Sequence, residues 1–339
     1  MKKTWLAAIA TGALLLSSLS QAEGAIKRKI CIFDIVGNNG PVMSLMKDWK
    51  IAALGWGLDA ELIPYTSESV AAADLSGGVC DAALITGIRA RKFNKFAGTT
   101  DSIGSIQDLE QFRTVLALLA NPALAPKMST EAYSIMGIAP IGAAYIFVND
   151  KKINSLAKAA GKKVAVLSYD KTQAEMVAMV GATPVDSDIT NFSTKFNNGI
   201  VDVIAAPLAA YDALELYKGM ARLGKDHGGV IDYPLMQITM QMVARKDRFT
   251  ADMTQKSRTY FYDNIDKTFR IIKDAKANVP KHWWVQIPAA DKPNYEHLMQ
   301  QARLKIRDQG EYSGEMLTIL RKVRCKFDPS RSECTNPVE

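Results

Sequence analysis

Histidine is scarce in this 339-residue chain. The three present, His227, His282 and His297, show no His-x-x-x-His spacing, and the four cysteines form no Cys-x-x-Cys pair. The spacings that build zinc sites are therefore missing. No Gly-x-Ser-x-Gly elbow occurs, and Ser168, near Asp170, has no histidine close by in sequence to activate it. After residue 22 no apolar run reaches the roughly 20 residues that a bilayer demands, so a membrane pump is excluded. A low-complexity linker and a dense basic stripe with interleaved aromatics are also lacking, which argues against nucleic acid as a partner.

What is present is an ordinary globular balance, 48% apolar and 23% charged, over enough residues for two domains. Lys2 and Lys3 precede an uncharged stretch from Trp5 to Leu16, and Ser20-Gln21-Ala22 offers small residues for cleavage. Residues 1–22 thus read as a secretory signal peptide cleaved after Ala22, leaving an exported, monomeric protein. Its net charge falls from +7 to about +5, too mild to dictate a partner. The densest basic stretch, Leu320 to Arg331, reads as a solvated helix face and tail.

Export permits disulfides. Cys325 and Cys334 enclose the polar loop KFDPSRSE and are expected to be bonded. Cys31 and Cys80 stand at the starts of two strand-like runs. They are either buried thiols or a second bridge, and the bridge requires neighbouring strands.

A motif recurs along the chain: Gly78-Val79-Cys80-Asp81 before AALITG, and Gly199-Ile200-Val201-Asp202 before VIAAP. Each glycine suits the left-handed residue that ends a helix, and each aspartate opens a strand. Around the first copy, strands are expected at Lys29 to Val36, Asp59 to Tyr65 and Asp81 to Thr86, with helices from Pro41 and over Glu68 to Leu75. A second series runs from the strand Ala143 to Val148 through Lys162 to Ser168 and ATPVD to the run after Asp202. Strands alternating with helices imply parallel pairing. Two such units create a cleft between their strand ends, where ligands bind. The facing loops are Asp34 to Gly40, Thr86 to Arg91, Ser168 to Thr172 and Pro207 to Tyr211. The segment Gln237 to Phe249 reads as a strand returning between the units, and the remainder is mostly helical.

The segment Ala159 to Leu214 resembles the second lobe of DctP-type substrate-binding proteins of TRAP transporters. It shares a Gly-x-Lys strand, a helix ending in Gly-Ala-x-Pro-Val, an Asn-Gly-x-x-Asp step and a strand leading to a proline. The nearest likeness is to the AdeT-type solute-binding proteins, whose family name has been attached to drug efflux. The resemblance implies an α/β, type II-like two-lobed periplasmic-binding-protein fold with two mixed sheets flanked by helices. Lobe 1 would span 23–140 and lobe 2 141–232, with 233–250 returning between them and a helical region, 251–339, bracing both. It further implies a periplasmic receptor, not an enzyme, that carries no metal or cofactor and hands a small solute to TRAP-type membrane subunits. One departure stands out. Where DctP-type strands place a carboxylate-binding arginine, this chain has Ala165, and alanine cannot hold an anion.

The candidate ligand residues are Asp34, Asn38, Asn39, Thr86, Arg89, Tyr145, Ser168, Tyr169, Asp170, Pro207 and Tyr211. Arg89 and Arg91 either supply a charge from across the cleft or are surface basics beside Lys92 and Lys95. Tyr145, Tyr169 and Tyr211 either line a pocket or pack. Asp34 either meets a cation or amine or caps its own turn. Trp283 and Trp284 fit a role pinning the C-terminal helices to a lobe. GMARLGKD, Gly219 to Asp226, falls short of a phosphate loop, because Asp226 replaces the metal-binding hydroxyl and no strand precedes it. The alternative to a receptor is a periplasmic sensor or adaptor on the same fold that has lost its solute site. A cleft packed with large side chains favours the adaptor, and an open polar cavity favours the receptor.

Overall fold

The computed structural model describes residues 24–339; the expected signal peptide, residues 1–22, lies outside the described residues. Strands β1 (Ile26–Phe33), β2 (Leu58–Tyr65) and β3 (Ala82–Thr86) pair in parallel with β1 in the middle. Helices Pro41–Leu54 and Glu68–Gly77 connect them. β4 (Tyr133–Val148) is a long crossing strand. β5 (Lys163–Leu167), β6 (Thr183–Ser187) and β7 (Val203–Pro207) repeat the parallel arrangement with β5 in the middle, connected by helices Lys171–Met179 and Phe192–Asn197. β8 (Gly229–Ile231) is short, β9 (Met236–Arg245) is the returning strand, and β10 (Trp284–Val285) pairs with β8.

The two expected sheets are halves of one. The strand order is β2-β1-β3-β9-β4-β7-β5-β6, because β9 and β4 run antiparallel to each other through both halves and hydrogen-bond to a parallel unit on either side. β4 also begins ten residues before the expected start at Ala143. Its first part is broken by register shifts between Ile135 and Gly137 and between Pro140 and Gly142, so the period-two alternation that marks a strand is lost there. Gly142 has φ +103°, a conformation that strongly favours glycine. At Gly137 a β-carbon would overlap the ring of Phe261.

The repeated Gly-x-x-Asp step makes the same joint twice. Gly78 (φ +79°) and Gly199 (φ +72°) each reverse the chain at a helix end. The aspartate side chain then accepts the backbone N–H of the middle strand, Asp81 from Lys29 at 2.8 Å and Asp202 from Lys163 at 2.9 Å. In each case the aspartate N–H also donates to the carbonyl of that same lysine at 2.8 Å. The motif therefore staples the third strand of each unit to the first.

The C-terminal helices brace both halves. The Ser313 N–H before helix Gly314–Phe327 donates to Thr99 Oγ1 at 2.9 Å in the first half. Gln309, after helix Lys292–Asp308, donates to Glu175 in the second at 2.9 Å. Arg303, Arg324, Glu333 and Glu339 form a buried ionic cluster, with Arg324 Nη2 at 2.6 Å from Glu333 and 2.7 Å from Glu339. Burial opposes charge on Glu333, but Arg324 and then Arg331 outweigh it and hold the carboxyl down at about 2. Cys325 and Cys334 are bonded, and so are Cys31, in β1, and Cys80, two residues before the neighbouring strand β3. Trp283 is buried in the second half and Trp284 meets Tyr145 edge-on at 5.6 Å, so both tie the C-terminal region to that half. No helix among the described residues is long and apolar enough to cross a membrane.

Candidate functional site

The turns after β1 and β3 face those after β5 and β7 and enclose a cavity of about 250 Å³. The first half contributes Phe33 to Val36, Val42, Leu45 and Ile88; the second contributes Leu167, Ile189, Phe192, Pro207 and Ala210. Its remaining wall comes from the crossing strands, at Ile141, Ile238 and Met240, and from helix Ile265–Asn278, at Thr268, Ile271 and Ile272. The cavity is open, but it is not polar. Asp34, Thr86 and Thr268 are its only polar side chains among the described residues, and each already has a hydrogen-bond partner within the chain.

Asp34 is buried and caps the helix Pro41–Leu54. Its Oδ2 accepts from the N–H groups of Val42 at 2.8 Å and Met43 at 3.0 Å, and its Oδ1 from Val36 at 2.9 Å. Gly40 makes room for it, since a β-carbon there would overlap the carboxylate. Thr86 Oγ1 accepts the Arg89 N–H at the start of a short helix, and Thr268 Oγ1 donates to the Ile265 carbonyl at 2.8 Å.

Beside this apolar space lies a charged clasp between the halves. Buried Glu68 accepts from the Thr86 N–H at 2.7 Å, from Arg89 Nε at 2.9 Å and, across the cleft, from the Tyr169 hydroxyl at 3.1 Å. The Arg89 guanidinium lies 3.6 Å from the centre of the Tyr169 ring. Burial, and then the Glu68 charge, push the Tyr169 phenol well above its usual range. Two residues along, Arg91 Nη2 donates to Asp170 Oδ1 at 2.7 Å; that same oxygen accepts from the Thr172 hydroxyl at 2.5 Å and caps helix Lys171–Met179. Burial would lower the Arg91 pKa, but Asp170 and its neighbours raise it overall.

Below the junction of cavity and clasp, Asp101 is fully buried. It accepts from the Thr239 N–H at 2.9 Å and the Thr239 hydroxyl at 2.7 Å, and Thr239 lies between the wall residues Ile238 and Met240. Burial raises its pKa to about 7, although Thr239 and Arg91 oppose the rise.

The sequence candidates separate into three groups. Asp34, Thr86 and Pro207 line the cavity. Arg89, Tyr169 and Asp170 belong to the clasp, together with Arg91. The rest lie elsewhere. Asn38, Asn39 and Ser168 are exposed on the turns. Tyr211 packs beside Tyr217 at 5.8 Å in the core of the second half. Tyr145 lies in a neighbouring recess of about 420 Å³ with Lys276, whose Nζ is 3.7 Å from Asp232. Ala165 packs against the apolar cluster of the second half, and Leu167, two residues on, lines the cavity. Most of the wall carried no sequence signal, because an apolar residue facing a void and one facing a core obey the same periodicity. No cluster of metal-binding side chains occurs among the described residues.

Comparison with known proteins matches this architecture. The family model for "Solute-binding protein AdeT 1/2" matches residues 24–339. A protein of Acinetobacter baumannii named "Probable solute-binding protein AdeT1" is 41% identical over 303 residues, 89% of this chain and 98% of its own. A second from that organism, named for AdeT2, is 27% identical over 240 residues, 70% of this chain and 98% of its own. Among solved structures, a TRAP periplasmic solute-binding protein from Desulfovibrio salexigens with bound orotic acid superposes with a TM-score of 0.72 at 13% identity, covering 88% of this chain and 99% of that one. One from Ralstonia eutropha with bound (S)-2-acetolactate gives 0.71 at 13% identity with the same coverage. The fold is thus that of the TRAP periplasmic receptors, and the chain belongs to the AdeT 1/2 solute-binding protein family.

Proposed function

We propose that this solute-binding protein works in the periplasm as the receptor of an uptake system. It captures a small molecule between its halves and presents it, as a monomer, to TRAP-type membrane subunits. The observation that carries this is the cavity itself, whose wall is shared by the facing turns of both parallel units. A solute seated there contacts both halves only when they are closed, so its binding energy favours closure. The ligands named for the superposed structures, orotic acid and acetolactate, are bound by those proteins. They define the kind of task rather than this chain's solute.

Thermal-shift and calorimetric screening of residues 23–339 against organic acids, amino acids, sugars, amines and neutral aromatics tests the proposal. Binding by at least one class, with compaction seen by small-angle scattering, is the expected result; silence across the library overturns it. Mass spectrometry of the protein from the periplasmic fraction is expected to give an N-terminus at Glu23.

A sensor or adaptor role is favoured by one specific observation. Glu68, Arg89, Tyr169, Arg91 and Asp170 join the halves through side chains that stand outside the cavity wall, so a closed shape held by the chain's own contacts could be recognised by a partner. A protein partner that binds equally well when the cavity is blocked would decide for that role.

A further inference from the structure

We infer that the solute is a small, uncharged, predominantly apolar molecule, on the order of one to two fused rings, held with no ionic contact. This rests on the receptor reading and specifies what the receptor takes.

The first line of support is the wall. From β1 to helix Ile265–Asn278 it is aliphatic, proline or phenylalanine, and its three polar side chains are already bonded within the chain. An apolar cavity of about 150 Å³ is enough to admit benzene, so about 250 Å³ suits a somewhat larger ring system. The apolar surface extends to exposed side chains on the wall: Val36 is 52% exposed, Ile271 40% and Ile35 37%. Exposed apolar side chains around an apolar hollow mark a surface suited to an apolar ligand.

The second line is electrostatic, and independent of the first. An anion entering such a cleft is normally received by helix N-termini or by arginine. Here helices Pro41–Leu54 and Lys171–Met179 and both arginines are taken by the chain's own carboxylates, while the short helices Phe192–Asn197 and Ala210–Ala213 start at the wall with no side-chain cap. Asp34 occupies the N-terminus of helix Pro41–Leu54, and Asp170 that of helix Lys171–Met179. Arg89 is bound to Glu68 and Arg91 to Asp170. In the adjoining recess Lys276 faces Asp232 and the rings of Tyr145 and Trp284. Asp34 moreover places a carboxylate in the cavity wall, which repels an anion, while its three N–H donors leave it poorly disposed to receive an ammonium group.

The test uses one ring frame with three charges, 2-naphthol, 2-naphthoate and 2-naphthylmethylamine, titrated calorimetrically into residues 23–339 at pH 7. The neutral compound is expected to bind at least tenfold more tightly than either ion. Ala210→Trp, which fills the cavity, is expected to weaken it at least tenfold. Leu45→Trp, at a partly exposed wall position, serves the same purpose should Ala210→Trp fail to fold. Preference for either charged compound overturns the inference and leaves the receptor reading standing, as does binding of sugars or organic acids but no neutral aromatic. Neutral binding that persists in a folded, cavity-filled variant overturns the assignment of the site. Silence toward both the series and the broad library overturns the receptor reading with it.

Discussion

Two regions of the same interface are built on opposite chemistry. The cavity is lined by Phe33, Leu167, Ile189 and Met240, whereas the adjoining clasp packs Glu68, Arg89, Arg91, Tyr169 and Asp170 into a hydrogen-bonded network. The difference separates two tasks. Contact between the halves is made by Arg91 with Asp170, by the Tyr169 hydroxyl with Glu68 and, at 3.9 Å, by Arg89 with Asp188, whereas the cavity wall is apolar apart from Asp34, Thr86 and Thr268. Both arginines of the clasp are held by the chain's own carboxylates, Arg89 by Glu68 in its own half and Arg91 by Asp170 across the cleft.

The largest effect is expected where the clasp is most buried. Glu68→Ala leaves the Arg89 guanidinium and the Tyr169 hydroxyl without their acceptor. Losing one partner of a buried ion pair costs about 3–5 kcal/mol. Urea unfolding should show that loss; a change below about 1 kcal/mol would break the comparison by showing the clasp to be idle.

Asp101 lies where wall and clasp meet, and its effect depends on pH. Its folded pKa of about 7 lies above the ordinary 3.8, so its contribution is fully present below about pH 4 and is lost as pH rises through 7. At about 1.4 kcal/mol per unit, up to about 4 kcal/mol separates the two ends of that window. Asp101→Asn should flatten this part of the thermal-stability profile, and an unchanged slope would show that the carboxylate is not protonated by burial.

Arg91 and Asp170 sharpen the division of labour. Their double-mutant cycle, Arg91→Ala against Asp170→Asn, is expected to give a coupling of about 1–3 kcal/mol. Small-angle scattering should show a more open average shape in either single variant. Affinity for a cavity ligand should fall only by the fraction of molecules lost from the closed state; a far steeper fall would mean that Arg91 or Asp170 touches the ligand.

Gly40→Ala is the smallest of the four. Its backbone φ of −77° suits any residue, so the cost arises from displacing the Asp34 carboxylate from Val42 and Met43. A lost helix cap is worth about 1–2 kcal/mol. A measured effect near zero would show that the cap does not organise this wall.

The parts of the fold that follow local rules were legible in the sequence. Gly78 and Gly199 announced helix ends, Asp81 and Asp202 announced strands, and the short loop between Cys325 and Cys334 announced a bridge. β4 was only half legible, because Pro140 and its glycine neighbours interrupt the alternation by which a strand is recognised. The site was least legible. Arg89 and Arg91 stand out as free cations in sequence, yet their counter-charges come from Glu68, 21 residues back, and Asp170, 79 residues on. Nothing local marks those pairings. Leu167 and Ile189 likewise look like any core residue until the opposite half is in place.

The doubled strand of β4 and β9 has a mechanical corollary. Two ribbons that are continuous from one half to the other cannot act as a free swivel, and any gape must be accommodated as flexure of the pair, concentrated where Gly142 and the displaced registers soften the ladder. If the jaws part, such a member would act as a leaf spring, limiting their travel and fixing the axis about which they move.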